Sequence, residues 1–256
     1  MGNSLGNKVL FPAPPSSYNA SLPGLIWDKQ SEIAADSRPF LFIKSAKVQS
    51  PHYIIYFHGN ACDLGNIEFE LREISKHSNA NILAVEYPGY GINREDDGPT
   101  ADGINAAADH ALQYLLNKGV SSQNIVFFGR SIGSGSACRL ASVCTQRGLP
   151  VGGVVLQSPY TSVHGIVEEY SQFGSWLIGN HWRNEEILAH PNSTFPLLII
   201  HGKVDEIIPF KHGQKLFEVC PSERKLLIAP ESSSHNEWYL YADVIYPVRD
   251  FLAKYL

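Results

Sequence analysis

Ile125-Val126-Phe127-Phe128-Gly129-Arg130-Ser131-Ile132-Gly133-Ser134-Gly135 is the stretch from which the fold can be read. Residues 125–128 are β-branched or aromatic and read as a strand. Gly129, Ser131 and Gly133 match the pattern G-x-S-x-G. The small residues that follow (Ser134, Gly135, Ser136, Ala137) open a helix. A strand that turns sharply into a helix forces the residue at the turn into a strained backbone conformation, and only tiny neighbours fit beside it. Ser131 stands at that turn, with Gly129 and Gly133 as its neighbours. Gly135 is expected to let the helix approach the sheet. The plain alternative is a Gly/Ser-rich turn that caps a helix. The strand before, the helix after and the partners downstream favour Ser131 as a nucleophile, with the helix N-terminus stabilising negative charge beside it.

The same rhythm continues on both sides of this stretch. Strand-like runs at 53–57, 81–87, 125–129, 153–157, 197–201 and 225–229 alternate with helix-like segments at 67–77, 102–116, 132–144, 211–218 and 238–256. The strands have no polar face, which marks a parallel sheet covered on both sides. Strand–helix alternation with right-handed crossovers gives an α/β fold, a mostly parallel central sheet with helices on both faces. Residues 1–24 hold a Pro/Ser/Gly-rich run (Phe11-Pro12-Ala13-Pro14-Pro15) and read as an irregular arm; 25–256 form the domain. Ligands of such sheets bind beyond the carboxyl ends of the strands.

Composition narrows the function classes. The chain has 256 residues, 44% of them hydrophobic, enough for one α/β domain with a substantial core. A formal net charge of -5 and the lack of a basic stripe argue against nucleic acid. The four cysteines, Cys62, Cys138, Cys144 and Cys220, fit neither zinc spacing nor a disulfide scaffold, and free thiols point to a reducing compartment. No secretory leader or bilayer-length apolar run is visible, so a cytoplasmic protein is expected.

A serine needs a base, and the base needs an acid to hold it. Where the serine stands in a G-x-S-x-G strand-to-helix turn, the acid and then the base follow it along the chain. The strand-like run 197–201 ends in Gly202-Lys203-Val204-Asp205-Glu206, which puts Asp205 one tight loop past the strand; Glu206, its neighbour, is expected to point elsewhere. After the run 225–229, Pro230-Glu231-Ser232-Ser233-Ser234-His235 brings His235 to the same rim. Of the ten histidines, His77, His110, His201 and His212 read as surface or packing residues. The tetrahedral intermediate of acyl transfer needs two backbone N–H donors. Ile132 supplies one, and Asn60, in the His58-Gly59-Asn60-Ala61 loop, the other, with Ala61 the near alternative. His58 itself reads as structural. This chemistry needs no metal and no organic cofactor.

In order along the chain stand HGN at residues 58–60, EYPGYG at 86–91, GRSIGSG at 129–135, SPYTS at 158–162, IIHGKVDEIIP at 199–209 and SHN at 234–236. From about residue 40 onward, the chain thereby resembles the α/β-hydrolase domain-containing proteins, in particular the branch numbered 17 and its relative numbered 13. The resemblance implies an α/β-hydrolase fold and a Ser131–Asp205–His235 triad. For the better-known branch, it implies thioester hydrolysis that removes palmitate from membrane-attached proteins. That branch begins with a palmitoylated cysteine cluster. Here the first cysteine is Cys62, so an N-terminal palmitoyl anchor is not expected. Met1-Gly2-Asn3-Ser4 instead resembles the N-myristoylation signal M-G-x-x-x-[ST], departing from it at Gly6, which makes Gly2 the candidate lipidation site. A single such chain gives weak, reversible contact with the cytoplasmic face of a membrane.

Residues 160–195 lie where α/β hydrolases carry a cap. Val167, Tyr170, Phe173, Trp176, Leu177, Ile178 and Trp182 could line an acyl site there or simply pack the insertion onto the body. The expected substrate is an acylated protein or a lipid-like acyl compound. A general carboxylesterase, a small serine peptidase and a catalytically silent binding module remain the alternatives.

Overall fold

The computed structural model describes residues 11–27, 38–47, 49–93, 98–170 and 181–256, with the backbone alone for 167–170. The proposed lipidation site, Gly2, and the cap residues Phe173, Trp176, Leu177 and Ile178 lie outside the described residues. Along the chain the elements are β1 (Leu25–Trp27), β2 (Pro39–Ile43), β3 (Tyr53–Phe57), α1 (Leu64–Ser78), β4 (Asn81–Val85), α2 (Ala101–Asn117), β5 (Ile125–Arg130) and α3 (Gly133–Gln146). They continue with β6 (Gly153–Gln157), α4 (Val163–Tyr170), α5 (Asn184–Ala189), β7 (Leu197–Ile200), α6 (Lys211–Val219), β8 (Lys225–Ile228) and α7 (Tyr246–Tyr255).

Among the described residues eight strands form one sheet in the order β1-β2-β4-β3-β5-β6-β7-β8. From β4 to β8 all pairings are parallel, while β1 and β2 pair antiparallel at one edge. The alternation of side chains explains why the central strands are apolar throughout. Ile55, Phe57, Phe127, Val154, Leu156 and Ile199 face one layer with α2, α3 and α6. Ile54, Tyr56, Val126, Phe128, Val155 and Leu198 face the other with α1 and α7. A strand buried on both sides has no position left for a polar residue. Removing one of these large side chains costs roughly 2–5 kcal/mol, since the remaining packing cannot fully close the hole.

The antiparallel edge was not legible in the sequence. β1 is three residues long and only half-buried, too short for its period to stand out. The C-terminal segment also differs from the expected single helix over 238–256. Trp238 is spent on the loop before it, donating from Nε1 to His235 O at 3.0 Å. The helix then begins as wide turns over Leu240–Ile245 and becomes α-helical at Tyr246, with Pro247 in its first turn. Proline suits that place, because a first-turn N–H has no intrahelical partner anyway.

Along the chain β3 leads to β4 on one side, and the chain then returns to β5 on the other. The carboxyl ends of β3 and β5 therefore diverge at a switch point, where open α/β sheets leave a crevice.

Candidate active site

Ser131 follows β5 directly and has φ 52°, the left-handed region that a non-glycine residue enters only under constraint. The constraint is visible on both sides. Ser131 N donates to Gln157 O of β6 at 2.8 Å, and Ser131 O accepts from Ser134 N at 2.9 Å. A Cβ on Gly129 would overlap the Gly133 carbonyl, and one on Gly133 would overlap Phe57 O at the end of β3. The close approach of helix to sheet is thus made at Gly133. Gly135, expected to serve that purpose, faces Trp182 and the Tyr160 hydroxyl instead, and so makes room for the cap.

The structure brings Ser131, His235 and Asp205 together from three loops. His235 Nε2 lies 3.1 Å from Ser131 Oγ, and His235 Nδ1 lies 2.9 Å from Asp205 Oδ2 and 3.1 Å from Oδ1. Asp205 Oδ1 also accepts the backbone N–H groups of Ile207 at 3.0 Å and Ile208 at 2.7 Å. Burial alone would raise the Asp205 carboxyl, but hydrogen bonds from His201, His235 and Ile208 hold it well below the usual carboxylate range. An ionised Asp205 accepts the Nδ1 proton, which leaves the Nε2 lone pair facing the Ser131 hydroxyl.

His201 belongs to this arrangement, although in sequence it reads as a packing residue. It is fully buried, donates from Nε2 to Ile208 O at 2.7 Å, and holds the same nitrogen 3.4 Å from Asp205 Oδ2. Glu206 also has a place near His235: its Oε2 accepts the His235 backbone N–H at 3.2 Å. The expectation that it points away fails because the loop turns both adjacent carboxylates toward His235, one to the ring and the other to the peptide.

Asn60 and Ile132 line one cavity with Ser131 and His235. The Asn60 side chain is held by the Tyr90 hydroxyl, which donates to Oδ1 at 2.7 Å. His58 is buried behind this loop, with Nδ1 2.9 Å from Gly59 O and Nε2 3.1 Å from Glu86 Oε1. Glu86, fully buried, further accepts Tyr87 N and Leu64 N, each at 3.2 Å. Sequence reasoning gave Glu86 no role. A carboxylate at the end of an otherwise apolar strand is the signal that could have found it, because such a group is buried only with partners.

The cavity, about 400 Å³, is walled on its apolar side by Tyr160, Val163, Ile166, Ile207 and Ile208. Trp182 of the cap is not part of that wall. It is buried, donates from Nε1 to Asn105 Oδ1 at 2.9 Å, and packs edge-on against Phe11. Among the described residues of the 160–195 insertion, Tyr160 and the aliphatic Val163 and Ile166 on the first turns of α4 reach the cavity. Cys62 also lines the cavity; burial pushes its thiol up, away from the thiolate. All four cysteines are free. No described helix is long and apolar enough to cross a membrane.

Fold and neighbours together define an α/β hydrolase. Similar solved structures include a soluble variant of monoglyceride lipase from Saccharomyces cerevisiae, with TM-score 0.66 and 14% identity over 94% of this chain and 99% of that one. Mouse α/β hydrolase domain-containing protein 10 superposes with TM-score 0.65 at 16% identity, over 90% of this chain and 98% of that one. No protein-family model matches the chain. Curated relatives narrow the placement. α/β hydrolase domain-containing protein 17C of Mus musculus is 30% identical over 88% of this chain and 67% of its own length. The human 17C protein shares the same 30% identity, and the chain spans 65% of its length. Protein bem46 of Schizosaccharomyces pombe is 25% identical over 94% of this chain and 79% of its own length. The chain belongs to the α/β-hydrolase domain-containing protein 17 family.

Proposed function

We propose that the protein is a serine hydrolase that cleaves long-chain acyl thioesters or esters through an acyl-enzyme, with palmitoylated protein cysteines as its substrates. The observation that carries this reading is the continuous chain of hydrogen-bond distances from Ser131 Oγ through His235 to Asp205, 3.1 and 2.9 Å, with Ser131 and His235 lining a cavity that has an apolar wall.

In this reading Ser131 Oγ attacks the acyl carbonyl carbon while His235 Nε2 takes its proton. The negative charge moves to the carbonyl oxygen, where the backbone N–H groups of Asn60 and Ile132 receive it. The tetrahedral intermediate collapses, the carbon–sulfur bond breaks, and the proton on His235 passes to the departing thiol. Water then attacks the acyl-Ser131 ester, again with His235 as base. The fatty acid leaves and the serine is restored. Asp205 keeps the imidazole in the required tautomer and stabilises its positive form. The acyl chain lies along Val163, Ile166 and Ile207, where burial of each methylene contributes about 0.8 kcal/mol.

A panel of acyl thioesters and oxygen esters of graded length tests the proposal. The expected result is Ser131-dependent hydrolysis with preference for long chains and for thioesters. Preference for short-chain esters would instead mark a general carboxylesterase. Absence of both turnover and fluorophosphonate labelling would leave the silent binding module. The proposal extends to a myristoylated Gly2 that brings the enzyme to the cytoplasmic face of a membrane. Mass spectrometry of the N-terminus, and the membrane fraction of a Gly2→Ala variant, decide that part; an unmodified or merely acetylated N-terminus refutes it.

A further inference from the structure

The sequence neighbours of the proposed nucleophile and acid both reach the main chain of His235. Arg130, one residue before Ser131, donates from Nη2 to His235 O at 3.3 Å and to Asn236 Oδ1 at 3.1 Å. Glu206, one residue after Asp205, accepts the His235 N–H at 3.2 Å through Oε2. Trp238 Nε1 donates to the same His235 carbonyl at 3.0 Å. The peptide of the base is therefore held on its N–H side by an anion and on its carbonyl side by a cation and an indole.

We infer that Arg130 and Glu206 are positioning residues that clamp the His235 backbone between the two elements bearing Ser131 and Asp205. The physical need follows from the loop itself. His235 sits in the segment between β8 and the C-terminal helical turns, in no regular element. Such a segment depends on side chains to fix its peptide groups. A base displaced by about 1 Å loses on the order of 100-fold in rate, because proton transfer requires hydrogen-bond contact at the moment of attack. The hydrogen bonds to the ring fix its rotation but leave the Cα free to swing about them. Those to the peptide fix the Cα. Both clamping groups are charged, and charge-assisted hydrogen bonds are roughly twice as strong as neutral ones.

The two arms differ in setting. Glu206 is exposed, so its bond competes with water, whereas Arg130 is half-buried. The carboxyl of Glu70 on α1 is pushed up by burial, an effect that the charge of Arg130 offsets only in part. Arg130 is expected to carry the larger share of the clamp. A planar fork can bond a carbonyl and an amide oxygen at once, so lysine is a poor substitute there.

The inference rests on the serine-hydrolase reading, and the parent enzyme tests that reading first: if it neither labels with a fluorophosphonate nor turns over acyl thioesters, the reading falls before any clamp variant is made. With an active parent, kcat is measured per serine titrated to completion by the label, so that unfolded molecules do not count. Arg130→Ala is expected to lose about 100-fold in kcat with KM changed less than about threefold, and added guanidinium ion is expected to restore part of the loss. Glu206→Ala is expected to lose about tenfold, while Glu206→Gln, which keeps an acceptor for the N–H, is expected to run near the parental rate. Hydrogen exchange at the His235 amide should quicken in both alanine variants. If Arg130→Ala does not fold, Arg130→Lys replaces it, with a loss in kcat and faster His235 exchange expected. Parental kcat per titrated serine in the Arg130 variant would overturn the inference. So would a loss that guanidinium does not relieve and that comes without faster exchange.

Discussion

The Tyr18 hydroxyl donates a 2.7 Å hydrogen bond to Glu86 Oε2, the carboxylate whose other oxygen holds His58 behind the Asn60 loop. Next to it Ser17 N donates to Asp63 Oδ2 at 2.6 Å, and Asp63 caps α1. The arm that precedes the sheet is thereby tied to the support of the proposed oxyanion loop.

That tie gives the first prediction. Tyr18→Phe should cost about 1 kcal/mol of stability, the net value of one hydrogen bond, with a modest loss of kcat. Glu86→Gln should cost more, about 1–3 kcal/mol. Both carboxylate oxygens accept from donors, and an amide nitrogen in place of either meets a donor head-on. Thermal melts with kinetics on the same preparations check this. Equal stability of the two variants would show that the buried carboxylate is not the anchor.

Variants of the proposed triad should rank in a definite order. Ser131→Ala and His235→Ala are expected to lose several orders of magnitude in turnover, since the two act as one unit. Asp205→Asn should be damaging but less so, and less on thioesters than on oxygen esters, because a thiolate leaves with little help from a proton. Continued fluorophosphonate labelling of Ser131→Ala would refute the nucleophile assignment. The backbone adds a separate test: Ser131→Gly should be inactive yet about 1 kcal/mol more stable than Ser131→Ala, because φ 52° is strained for alanine and free for glycine.

Acid stability should report on Asp205. Its carboxyl is held below its unfolded value, near 3.9, so the folded state binds fewer protons there than the unfolded chain. The stabilisation is fully present above that unfolded value and is lost as pH falls through the folded one. The parent should therefore lose stability steeply below about pH 4, and Asp205→Asn should flatten that part of the curve. Urea melts from pH 3 to 7 supply the comparison; identical slopes for the two proteins would remove Asp205 from the acid transition.

The cavity wall should set chain length. Ile166→Phe places a ring where the acyl chain is proposed to lie, and should lower kcat/KM for long acyl thioesters about 10–200-fold relative to short ones. An unchanged length profile would place the chain elsewhere.

The positions of Ser131, Asp205 and His235 could be read from sequence because each follows a run of residues apolar on both faces. Such runs form parallel strands, and loops at their carboxyl ends share one rim. The nearest-neighbour sterics of Gly129-x-Ser131-x-Gly133 are local as well, so the strained turn needed no tertiary information. What lay beyond sequence were relationships set by long-range packing: which carbonyl Arg130 meets across 105 residues, where Glu206 turns, that His201 reaches Asp205, and that Gly135 makes room for Trp182. None of these has a period or a composition, because each depends on the distance between loops that only the assembled sheet brings into register. The same holds for the cavity wall. The aromatics of the insertion stand out in sequence, yet Trp182 is used to fasten it to Asn105, and Val163 and Ile166 line the cavity with Tyr160. Hydrophobicity decides that a residue is buried; only the tertiary structure decides against what.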